Sequence, residues 1–142
     1  IHTQNSKKES YKVLDKAIGL LLQYPKELAP YLPQSFDKYF KNAYPLLDQL
    51  VRNIQDNPNN QTATLLEQFR EETELAQYFM GLAQHDWLVP SDGIIPEFSD
   101  ILVHLKKSIR NQKVNILLQK ARQNLITPEE KNELTQLLGQ RE

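Results

Sequence analysis

From Pro96 to about Asn124, apolar residues recur every three or four positions with hardly a break. Ile101, Leu102, Leu105, Ile109, Ile116, Leu117, Ala121 and Leu125 carry the pattern. That spacing places side chains on one side of a helix and fits no strand, whose faces alternate at every residue. The rest of the chain agrees. It holds only four glycines, no Asn-Gly hairpin turn and no strand-length alternation of apolar and polar residues. The reading is an all-α fold.

Five further segments have helical spacing. Leu14, Ala17, Ile18, Leu21 and Leu22 mark a helix from about Ser6 to Tyr24, with Asn5 or Ser6 as its cap and Pro25 as its stop. Pro25 to Leu28 reads as one helical turn opened by proline and ended by Pro30 and Pro33. Leu46, Leu47, Leu50, Val51 and Ile54 predict a helix from Pro45 to the turn-formers Asp56 to Asn60. A helix bearing Leu65, Leu66 and Phe69 starts near Thr62 or Thr64, and Thr64 with Glu67 has capping-box spacing. Leu75, Phe79, Leu82 and Ala83 mark the next, ended by the loop signal Val89-Pro90-Ser91-Asp92-Gly93.

Within the long C-terminal pattern the polar run Ser108 to Lys113 is where the apolar spacing thins, and a bend is expected there. Thr127-Pro128-Glu129-Glu130 then opens a last helix, with Thr as cap, Pro first and Glu third. Leu134, Leu137 and Leu138 form its apolar face, and Gly139 ends it. The turn at Ile126-Thr127 is so short that the last two helices must fold back on each other. The expected organisation is a helical bundle over 1–108 and a C-terminal helical hairpin over 109–142.

Charge divides the chain differently. Residues 1–100 hold 9 Lys and Arg against 14 Asp and Glu, and residues 101–142 hold 8 against 4. Lys106, Lys107, Arg110, Lys113, Lys120 and Arg122 follow one another with no acid between Ile101 and Ile126. The overall net charge of −1 is nevertheless unlike the strongly basic footprint of a dedicated nucleic-acid binder. No apolar run approaches the roughly 20 residues of a membrane span. Ile1 to Ser10 is polar, unlike a secretory signal. With no cysteine, disulfide and thiolate chemistry is excluded, which fits the cytoplasm. The chain begins with Ile rather than Met, as expected of a piece of a longer protein.

Catalytic signals are missing. His2, His85 and His104 lack metal-ligand spacing, and adjacent His85 and Asp86 point in different directions if helical. Glu71, Glu72 and Glu74 read as a solvated helix end rather than a cation site. There is no phosphate-binding glycine loop and no nucleophile elbow. The expectation is a non-enzyme with no metal, no cofactor and no small-molecule substrate. A terminal hairpin cannot bury both its faces, so its leucines are candidates for a partner's surface.

One block resembles a known family. Ala17-Ile18-Gly19-Leu20-Leu21-Leu22-Gln23-Tyr24-Pro25-Lys26-Glu27-Leu28-Ala29 is similar to the opening of the C-terminal, helicase-binding domain of bacterial DNA primases. There an apolar helix with I-G-L-L ends in Gln-x-Pro before a Glu-Leu-Ala turn. The likeness continues through Leu46 to Ile54, Thr64 to Phe69, and the long helix with its terminal hairpin. It implies a non-catalytic module that docks through the hairpin on the N-terminal domains of the hexameric replicative helicase, bringing primase to the replication fork. By position, the implied contacts are Leu125, Leu134, Leu137 and Leu138 as apolar anchors, with Lys131 and Arg141 at the rim. Some members also bind the acidic C-terminal tail of single-stranded-DNA-binding protein through basic residues near the first helix. Two such positions are Ser10 and Asp15 here, which leaves Lys8, Lys12 and Lys16 as the expected cations. The alternative reading is a helical nucleic-acid-binding domain using the basic helix 106–122.

Overall fold

The structure is a computed structural model that describes residues 11–139. Among these are eight α-helices and no strand. The chain forms two compact units, residues 1–103 and 104–142.

At the centre of the first unit is α1 (Val13–Gln23). Six consecutive residues, Ala17 to Leu22, are buried on it, so it is covered on every side. A helix apolar all round must lie inside the domain. The helices that cover it are α4 (Pro45–Asp56), α5 (Thr62–Glu67) and α6 (Thr73–Gln84), with α2 (Pro25–Leu28) following directly after Tyr24. Leu47, Leu50, Val51 and Ile54 of α4, Leu65 of α5, and Phe79 and Leu82 of α6 are buried. Each such side chain contributes about 1.5–3 kcal/mol when fully removed from water.

The helix starts differ in part from the sequence reading. α1 begins at Val13, with the Lys12 amide donating to Asp15 Oδ2 at 2.9 Å. The expected caps Asn5 and Ser6 lie outside the described residues. Of the two starts expected for α5, Thr62 is the one observed, so Thr64 sits inside the helix and makes no capping box. Glu67 pairs instead with Arg70 at 2.8 Å, and Thr62 Oγ1 donates to Leu22 O at 2.6 Å, tying α5 to α1. Pro30 does not end the chain's helical course. It lies within a 3-10 turn, Ala29–Tyr31, because a proline near a helix start loses no hydrogen bond.

A short helix escaped the sequence reading: α3 (Lys38–Ala43), capped by Asp37 Oδ1, which accepts from the Phe40 amide at 2.9 Å. Phe36 and Phe40 stack face to face with centroids 4.0 Å apart, and Tyr44 meets Phe40 edge-on at 5.1 Å. α7 (Ile94–Arg122) is one continuous helix of 29 residues. The run Ser108 to Lys113, where a bend is expected, is helical throughout. That run contains neither Gly nor Pro, and its Arg, Gln and Lys are good helix formers.

Gly19 is the tightest point. The indole of Trp87 crosses α1 there, and a Cβ on Gly19 would lie 2.6 Å from its Cε2 and Cζ2. The indole cannot easily move aside. Its Nε1–H donates to Leu82 O at 3.2 Å, and it packs edge-on against Tyr11 and His85. We expect Gly19→Ala to destabilise the first unit by about 1–3 kcal/mol, the usual cost of overpacking a close contact. Urea unfolding followed by Trp87 fluorescence checks this. An unchanged midpoint would show that the indole yields.

Candidate docking surface

The second unit is built on the C-terminal part of α7 and on α8 (Pro128–Gly139). α7 stops with Asn124 in the left-handed region at φ 60°, which lets the Leu125 amide donate back to Lys120 O at 2.8 Å. α8 starts as its sequence dictates. Thr127 Oγ1 accepts from the Glu130 amide at 3.1 Å, and Glu130 Oε1 accepts from the Thr127 amide at 3.0 Å.

Two ion pairs link the helices: Lys120 with Glu130 at 2.5 Å and Lys113 with Glu133 at 3.7 Å. The earlier lysine meets the later glutamate, so the helices run antiparallel. Lys120 and the Thr127 amide bond the charged form of Glu130 and hold its carboxyl below the ordinary glutamate range.

No residue of α8 is buried, although it carries three leucines. Leu134 and Leu137 are half-buried, Leu138 is 39% exposed, and Leu125 at the turn is 65% exposed. Of the expected rim cations, Lys131 is exposed and Arg141 lies outside the described residues. Ile116 and Leu125 keep the helical spacing of the long apolar pattern, and both are exposed. Ile116 is 55% exposed on α7, one helical turn from Gln112 and Gln119. Periodicity marks an apolar residue but cannot tell a covered face from an uncovered one.

The other candidates are more occupied. Within the basic run, Lys106 and Lys107 are exposed, whereas Lys113 and Lys120 are engaged with α8 and Arg122 donates to Gln119 at 3.0 Å. The run is thus partly consumed inside the hairpin. At the other end of the chain, Lys8 lies outside the described residues and Lys12 is exposed. Lys16 pairs with Glu97 at 2.8 Å. Asp15, the departure from the family pattern, accepts from the Lys12 amide and from the Tyr78 hydroxyl. Burial, with Asp15 next, pushes the Tyr78 hydroxyl well above the usual tyrosine range. No group of three or more His, Cys, Asp or Glu among the described residues is placed to hold a metal ion. Among them, no helix is long and apolar enough to cross a membrane.

Residues 14–137 match the family described as DNA primase DnaG, DnaB-binding. The chain belongs to this family. Its members are the helicase-binding, non-catalytic region of primase. A DNA primase from Legionella pneumophila is 31% identical over 126 residues, which is 88% of this chain and 22% of that protein. One from Pseudomonas putida is 32% identical over 94 residues, 66% of this chain and 14% of the relative. The chain therefore spans less than a quarter of the length of these primases. The match includes most of the hairpin and all of α1 except Val13.

The Glu130 pairing has a consequence for pH. A carboxyl lowered in the folded state adds stability above its unfolded value of about 4.3 and loses it as pH falls through the lowered value. We expect protection factors of the α8 amides to fall as pH drops from about 5 to about 3. The fall should be smaller in Glu130→Gln. Equal falls in the two proteins would mean that the Glu130 contacts do not hold the hairpin.

Proposed function

We propose that this chain docks on the hexameric replicative helicase through its C-terminal hairpin and so recruits primase to the replication fork in the bacterial cytoplasm. The observation that carries the reading is α8, a helix with three leucines and no buried residue. Leu125 and Leu138 are the exposed anchors, Leu134 and Leu137 are half-covered ones, and exposed Lys131 is the rim cation, with Arg141 assigned to the rim by sequence position alone. Apolar anchors supply affinity, whereas rim charges set orientation and rate of approach. The nucleic-acid reading is weaker, because two of its six cations are paired inside the hairpin.

The test is calorimetric titration of the chain into the cognate helicase. Leu125→Ser and Leu138→Ser should each lower affinity about tenfold or more, since each removes an anchor worth about 1.5–3 kcal/mol. Both residues are exposed, so far-ultraviolet circular dichroism should not change. Lys106→Gln with Lys107→Gln should have little effect. Parent-like binding by both leucine variants would sink the hairpin assignment.

A second reading concerns the acidic tail of single-stranded-DNA-binding protein. It is favoured by exposed Lys12, next in sequence to Tyr11, whose ring clusters with those of His85 and Trp87 at centroid distances of 4.4–5.1 Å. Here Glu97 competes for Lys16. Replacing Glu97 with Gln should therefore strengthen binding of a tail peptide several-fold in fluorescence anisotropy. Unchanged or weaker binding would remove Lys16 from that site.

A further inference from the structure

Within the second unit, α7 has two faces of different chemistry. Lys113 and Lys120, with buried Leu117 between them on the same face, turn to α8 and its glutamates. Asn115 and Gln119 lie two residues either side of Leu117 and so point roughly 160° away from it. Asn111, Gln112, Asn115, Ile116 and Gln119 are all exposed, and none of them carries a charge. Gln112, Ile116 and Gln119 follow one another at steps of four and then three residues, the spacing by which one helix lies along another.

A face kept only for water is usually charged, with pairs that support the helix. Asparagine gives no such pair and is a poor helix former, so helix stability does not account for Asn111 and Asn115. Among the described residues, of the four carboxamides on this face only that of Gln119 is engaged, accepting from Arg122 at 3.0 Å. An apolar residue ringed by uncharged groups has the composition of an interface centre. A carboxamide both donates and accepts, so a row of them complements an identical row. Phosphates or a charged protein surface would find no counter-charge here, whereas a second copy would meet matching amides and no like charge.

We propose that two copies of this chain pair through this face of α7, with Ile116 near the centre and the two helices antiparallel. One patch meeting itself closes as a twofold pair. The direction follows from Arg122, which is exposed at the end of the same face. Parallel helices would set it against its own copy, whereas antiparallel helices centred between Asn115 and Ile116 hold the two about 20 Å apart. That register brings Gln112 of one copy opposite Gln119 of the other. A seam of one isoleucine and a few amides is small, so the pairing is weak.

Sedimentation equilibrium of the chain over about 0.02–1 mM tests this. The weight-average mass should climb toward twice the 16.6 kDa of one chain and no further. Added salt should change it little, because the seam holds no charge pair. Ile116→Lys should weaken pairing about tenfold or more. Ile116 is exposed, so the variant should melt where the parent does. Gln112→Glu combined with Gln119→Lys should tighten pairing at low salt, since opposite charges then face each other. A parent that stays monomeric at about 1 mM, or an Ile116→Lys variant that pairs like the parent, would overturn the proposal. Weaker pairing by the double variant would overturn it also, since the helices would then not be antiparallel in this register. In calorimetry with the replicative helicase, Ile116→Lys should bind as the parent does. A loss of that binding would give the face to the helicase and overturn the pairing of copies.

Discussion

The first unit depends on α1 having no exposed side along Ala17 to Leu22. A helix so buried has no polar face to orient it, so its position is fixed by what covers it. Three helices supply apolar side chains, and polar ties set the register. Gln23 reaches across to the carbonyls of Leu82 and His85, and Thr62 to that of Leu22. On the remaining side there is room only for a flat ring, and Trp87 takes it by lying over Gly19. Glycine inside a helix costs about 1 kcal/mol relative to alanine. Its presence here is explained by that ring.

Much of this was legible beforehand because apolar spacing and proline positions act locally. α4 starts at Pro45 and ends before the Asn-Pro-Asn-Asn turn, and the Thr127–Glu130 box opens α8. What could not be read depends on contacts distant in sequence. Gly19 and Trp87 are 68 residues apart, and only the cost of a mid-helix glycine hinted at a close neighbour. α3 has six residues, too few for a period to show. Its signal is the Asp37 cap together with Phe36 and Phe40 four positions apart. The Ser108 to Lys113 run suggested a bend because its apolar spacing lapses. Helix formation there rests on intrinsic propensity, and nothing in the run opposes it.

The hairpin was legible as an element and less so as a surface. Leu125, Ile116 and Leu138 have the same spacing as core residues, and only the structure distinguishes them by exposure. The ion pairs of Lys113 and Lys120 with α8 glutamates also change the meaning of the basic run. Two cations that seemed available to phosphates serve instead to hold the helices together. The two ends of the fold then have contrasting characters: a first unit organised around a fully buried helix, and a second whose last helix buries nothing.

Hydrogen exchange of the chain, alone and bound to the replicative helicase, tests the hairpin assignment most directly. The account predicts that binding slows exchange between residues 112 and 138, strongest in α8 and in the turn before it. Protection confined to the first unit, with α8 exchanging as freely as before, would contradict it.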